Sequence, residues 1–157
     1  MVNKRLQDKA EKLLKKVVDK LDLVNDGYCV NVSGRLKVNK ANAQVWKWLH
    51  NRDIRRIDIS KKLLKKYSNT DIIGTLIHEI SHFKQMEEML IEVGDDDDIL
   101  RLADSIDAYR KARSVSSRNN TSYPHWHNKD FYRIYDRLNK LYKCRTGKAK
   151  GLKVRNE

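Results

Sequence analysis

Two histidines four residues apart, with a glutamate directly after the first, constrain this chain more than any other feature: His78-Glu79-Ile80-Ser81-His82. On a strand, side chains at i and i+4 share a face but stand about 13 Å apart; on a helix they sit one turn apart and point nearly the same way. A segment that gathers two imidazoles must therefore be helical. Ile72, Ile73, Leu76, Ile77, Ile80 and Phe83 agree with this, recurring at helical spacing as one apolar stripe. His78 and His82 fall on a face rotated away from most of that stripe, so they project beside a core rather than into its centre.

The rest of the chain supplies partners for that helix. Leu6, Ala10, Leu13, Leu14, Val17, Val18 and Leu21 predict an amphipathic helix over Asn3 to Leu23 with lysines outward. Asn25-Asp26-Gly27 is a turn signal, and the β-branched and aromatic runs Tyr28 to Val32, Leu36 to Val38, Ala43 to Leu49 and Ile54 to Ile59 read as short strands. Ser60 can cap a short helix through Leu63, Leu64 and Tyr67; Ser68-Asn69-Thr70 can cap the histidine helix, which Gly94 ends. Ile99, Leu102, Ala103, Ile106, Tyr109 and Ala112 mark a further helix, Ser114 to Ser122 a polar loop, and Phe131, Ile134, Tyr135, Leu138 and Leu141 a last helix. The expected fold is α+β: a small, mostly antiparallel sheet packed with the H-E-x-x-H helix and flanking helices.

The spacing also carries chemistry. Histidines at i and i+4 can reach one Zn²⁺, while the intervening glutamate is displaced around the helix and is free to act as a general base. A catalytic zinc needs a third protein ligand and an open position. Phe83, Lys84 and Gln85 follow His82, which excludes the metzincin extension. Glu87, Glu88 and Glu92 are acidic, but the first two continue the same helix and read as solvent-facing. His125 and His127, beside Tyr123 and Trp126 at the start of the last helix, are better placed; either could complete the site, with His125 also available as a partner of a ligand or of the tetrahedral intermediate.

His127-Asn128-Lys129-Asp130-Phe131 resembles the H-G-x-x-F segment of SprT-like metallopeptidases, and the wider run from His125 is similar to the related WLM and YgjP-like groups. Ile57-Asp58-Ile59-Ser60 resembles the strand and serine before a short helix in the same family, so the resemblance covers about Arg55 to Leu141. It implies a minimal zincin-type fold, that His78, His82 and His127 bind zinc, that Glu79 is the catalytic base, and that Phe131 seats the last helix in the core. Asn128 stands where the family has glycine, the stretch 83–126 is longer than the family's, and Cys144 is all that corresponds to its Cys-rich ribbon. Residues 1–145 are read as the metallopeptidase domain and 146–157 as a basic tail.

Charge adds a partner class. Lys and Arg number 34 against 21 acidic residues, a net +13 that attracts polyanions. The excess is heaviest from Tyr132 to Glu157, where only Asp136 and Glu157 oppose it, making the C-terminus the expected polyanion contact. Lys37, Lys40, Lys47, Arg52, Arg55 and Arg56 add charge around the sheet. SprT-like and WLM proteins are associated with proteolysis on DNA, which the resemblance implies here. Asp95 to Asp98 lack the alternating ligands of a calcium loop and read as helix-capping residues. Cys29 and Cys144, far apart, read as free thiols. With a charged N-terminus and no long apolar run, a cytoplasmic protein with no membrane contact is expected. The expected function is zinc-dependent endopeptidase activity on a protein or peptide substrate, with DNA bound through the basic surface and tail. The alternatives are a nucleic-acid-binding protein with a structural or degenerate zinc site, and a metalloprotease for a regulatory protein without DNA.

Overall fold

The computed structural model describes residues 4–36, 40–93, 127 and 129–144. The first helix, α1 (Lys4–Lys20), buries Leu6, Ala10, Leu13, Leu14 and Val17 along one side. It stops before the expected Leu23 because Asp22 takes a left-handed conformation (φ 59°) and the Leu23 N–H donates back to the Val18 carbonyl at 2.8 Å. That is a Schellman-type stop, with aspartate in the place glycine usually holds.

Three strands, β1 (Tyr28–Ser33), β2 (Ala41–Ala43) and β3 (Arg55–Ser60), form one sheet in the order β1-β3-β2. Gly27 (φ 78°) lets β1 begin hard against the entry to β3: a Cβ there would collide with the Asp53 carbonyl, and the Arg55 N–H donates to the Gly27 carbonyl at 2.8 Å. β1 runs parallel to β3 from Tyr28↔Arg55 to Ser33↔Ser60, whereas β2 runs antiparallel to it from Ala41↔Ile59 to Ala43↔Ile57. The sheet is thus mixed, not mostly antiparallel. β2 and β3 are consecutive, antiparallel neighbours joined through residues 44–54, whereas β1 and β3 are separated by residues 34–54, which include β2, a connection long enough for a parallel pair.

The connection into β3 is helical rather than extended. Ala43 to Leu49, expected as a strand, is split between the end of β2 and a short helix, α2 (Val45–His50). Val45, Trp48 and Leu49 have i, i+3, i+4 spacing, and Trp48 and Leu49 are buried, so helical period outweighed β-propensity. Trp48 meets Phe83 edge-on at 6.0 Å. The side chain of Trp46 lies outside the described residues.

Ser60 closes β3 and caps α3 (Lys61–Lys66), its hydroxyl accepting the Leu63 N–H at 3.1 Å. Ser68 does the same for Asp71 at the head of α4 (Asn69–Val93), at 3.2 Å. α4 is the spine of the molecule: Ile72, Leu76, Ile77, Ile80, Phe83 and Met86 are essentially inaccessible and join α1, the sheet and α5 (Lys129–Cys144) in one core. Among the described residues neither Cys29 nor Cys144 is in a disulfide, and no helix is long and apolar enough to cross a membrane. The helix expected after Asp98, the aspartates before it, the polar loop, the segment containing Tyr123 and His125, and the tail from 146 lie outside the described residues. So does most of the strand expected over Leu36 to Val38, of which Leu36 alone is described, in a bend.

Candidate metal centre

α4 delivers His78 and His82 one turn apart, ring centroids 5.1 Å from each other. His127 comes from a distant part of the chain, just ahead of α5. That helix lies along α4 because Phe131, Ile134 and Leu138 are buried and because Arg133 Nη2 meets Glu88 Oε1 at 2.6 Å. The His127 ring is thereby set 5.1 Å from His78 and 4.9 Å from His82. One ligand nitrogen from each of the three lies within 4.8 Å of the others. His78 Nε2 and His127 Nε2 are 3.2 Å apart, close to the roughly 3.3 Å edge of a tetrahedron with metal–nitrogen bonds of about 2.0–2.1 Å. Three neutral nitrogen donors so arranged fit a borderline metal ion.

Phe131 is the seat of the cluster. It is fully buried, and its ring centroid lies 4.8, 4.5 and 4.9 Å from those of His78, His82 and His127. Tyr135, one helical turn on, stacks against it at 5.9 Å and approaches His78 at 5.5 Å. An apolar seat favours neutral imidazoles. Burial, then the neighbouring His127, pulls the pKa of His78 down to about 4; burial, then His78 and His127, pulls His82 to about 3. Near neutral pH both rings are in the unprotonated form that a metal requires.

Glu79 stands beside this cluster rather than in it. Its side chain is buried, with Oε2 4.0 Å from His78 Nε2 and Oε1 accepting the Ala43 N–H at 2.9 Å. Burial raises its pKa to about 7, opposed by the Ala43 hydrogen bond. The carboxyl group is therefore poised near neutrality, the range suited to proton transfer. The contribution of β2 could not be read from the motif; the only trace in the sequence is a pair of small residues around Asn42, where side chains leave the backbone accessible.

The structure brings His78, His82, His127 and Glu79 together. Glu87 does not face open solvent, as expected from the helix alone; it pairs with the largely buried Arg55 at 2.7 Å and with Lys84 at 3.3 Å, away from the histidines. Glu88 is held by Arg133. The side chain of Glu92, together with His125 and Tyr123, lies outside the described residues. Arg55 and Arg56 are likewise not free surface charges: Arg55 packs near the Tyr28 and Trp48 rings, and Arg56 bonds to Asp58 at 2.8 Å. Compared with protein-family models, with curated proteins and with solved structures, the chain finds no match.

Proposed function

We propose that this chain is a zinc-dependent endopeptidase of SprT-like character. The observation that carries the reading is the meeting of three histidine nitrogens with a buried glutamate that is not one of them. His78, His82 and His127 would hold the ion. When bound, zinc supplies Lewis acidity, which acidifies water and offsets the charge developing on a scissile carbonyl. Glu79 is the base: Oε2 takes the proton of the attacking water and returns it to the departing amine, while Oε1 stays on the Ala43 N–H. Phe131 and Tyr135 keep the imidazoles oriented and one side of the site dry. Three donors meet among the described residues; hydrolysis needs a fourth position open to water, whereas a structural site would be closed by a fourth donor.

Separate roles give separable losses. Glu79→Gln is expected to lose at least about a thousandfold in peptide hydrolysis with zinc content near that of the wild type. His127→Ala is expected to lose both. Metal analysis and a casein or self-cleavage assay on the same preparations check this, and wild-type-like activity of Glu79→Gln would sink the reading.

DNA as a partner is favoured by one surface. On α1, Arg5, Lys9, Lys12 and Lys16 share one stripe at i, i+4, i+7 and i+11, while Asp8, Glu11 and Asp19 lie on the neighbouring one. α3 adds Lys62, Lys65 and Lys66 beside it, and a cleft of about 420 Å³ between the two helices is lined by Arg5, Leu6, Lys9 and Lys65. The apolar side of α1 is already in the core, which leaves the helix no apolar face to insert into a membrane.

A further inference from the structure

The orientation of Glu79 depends on residues outside the H-E-x-x-H motif. The Ser60 N–H donates to the Lys40 carbonyl at 3.0 Å and the Gln44 N–H to the Arg56 carbonyl at 2.9 Å, so residues 40 and 44 turn these main-chain groups toward β3. Antiparallel alternation then turns the Ala43 N–H away from the sheet, where Glu79 Oε1 receives it at 2.9 Å. A slip of one residue would turn that N–H inward. Yet β2 is an edge strand three residues long, too short for its ladder alone to hold register firmly.

A buried polar pair supplies the missing hold. Gln44 Nε2 donates to Asp58 Oδ2 at 2.6 Å, and both residues are only 8% exposed. The other oxygen of Asp58 accepts from Arg56 Nε at 2.8 Å. Asp58 sits between the buried Ile57 and Ile59 on the central strand, a place where a carboxylate is costly and an apolar residue would serve packing equally well. Gln44 is also the cap of α2, its carbonyl accepting the Trp48 N–H at 3.2 Å. The pair therefore joins β3 to the corner at which β2 becomes α2, one residue from the amide that holds Glu79.

We propose that Gln44 and Asp58 are positioning residues for Glu79: their hydrogen bond pins the β2–α2 corner, keeps the Ala43 N–H on Oε1, and leaves Oε2 facing the histidines. This deepens the peptidase reading and rests on it for its consequence in catalysis, although the pinning itself is a property of the metal-free chain.

Two variants separate positioning from folding. Gln44→Met keeps the volume and removes the donor; Gln44→Met/Asp58→Leu removes both polar partners, so no buried carboxylate is stranded and the fold is retained. Leu13→Ala, in α1, controls for simple destabilisation. In metal-free protein the Ala43 amide is followed by ¹⁵N-resolved NMR, where the bond to a carboxylate holds its proton downfield. Both Gln44 variants are expected to lose that downfield shift, and Leu13→Ala to keep it. With zinc restored, kcat for a peptide is expected to fall about ten- to a hundredfold in both Gln44 variants, with KM and zinc content unchanged. The proposal is overturned if the folded double variant leaves the Ala43 amide unmoved, or if Leu13→Ala reproduces the loss in kcat. Should the wild-type protein cleave no peptide, the peptidase reading fails by itself, and the amide resonance still decides whether the pair pins the corner.

Discussion

Glu79 couples the chemistry of the site to the stability of the chain. Its pKa is raised to about 7 in the folded metal-free protein, so the folded state holds a proton that the unfolded state, near 4.5, has already released. The stability this group contributes is present below about pH 4.5 and is lost as pH rises through about 7. Gln cannot ionise and can still accept the Ala43 N–H, so metal-free Glu79→Gln is expected to be more stable than the wild type by up to about 3 kcal/mol at pH 8, and by little at pH 5. His78 and His82 shift the other way: lowered to about 4 and 3, they withdraw stability from both proteins as pH falls below about 6.5, and cancel in the difference. Urea unfolding in the presence of a chelator at the two pH values reads this out, and an equal difference at both would refute it. Bound zinc should shrink the gap, because a nearby cation favours the carboxylate.

At the scale of elements, the site is a joint between α4 and α5 rather than a property of either. Two of the histidines ride on α4, the third stands just before α5, and Phe131 fills the space beneath all three rings. Phe131→Ala is therefore expected to cost about 3–5 kcal/mol in folding and also to weaken zinc binding at least about tenfold, although Phe131 is no ligand. Chelator competition on the folded variant measures the second effect, with Phe131→Leu expected to keep most of the affinity. Unchanged affinity in Phe131→Ala would show that the histidines hold their geometry without this seat. The amphipathic α1, the Ser60 and Ser68 caps, and the stripe on α4 were legible beforehand, because each is decided by neighbours within a turn or two. The segment of α2 reads as a strand because Val45, Trp46 and Trp48 have β-propensity, which the burial of Trp48 against Phe83 overrides.

At the scale of the molecule, part of the positive charge of the described residues gathers on the α1–α3 face. Arg55 and Arg56 are drawn into internal pairs, whereas Lys12, Lys16, Lys62, Lys65 and Lys66 have no acidic partner among the described residues. A duplex bound through the α1–α3 face would release about one counterion per contacted phosphate, so Lys12→Glu/Lys16→Glu/Lys62→Glu/Lys65→Glu is expected to flatten the slope of log K against log salt by about 3–4 and to weaken binding to double- and single-stranded DNA alike. The matched set Lys148→Glu/Lys150→Glu/Lys153→Glu/Arg155→Glu tests the tail in the same titration. Salt-independent binding, or none, would remove DNA from the reading.

What the sequence determined by itself is local: a helix presenting two histidines and a glutamate, its caps, the amphipathic α1, and an α+β fold class. Periodicity and capping act over a few residues and are written in order along the chain. Only the tertiary structure decided that His127 reaches the other two histidines, that β3 runs between β1 and β2, and that an amide of β2 holds Glu79. Those depend on which distant segments share one core and on a register set by paired strands, and neither leaves a periodic trace in the chain. The pentapeptide from His78 to His82 specifies two imidazoles and a carboxyl group; the packing of α5 and the edge of the sheet bring them together with His127.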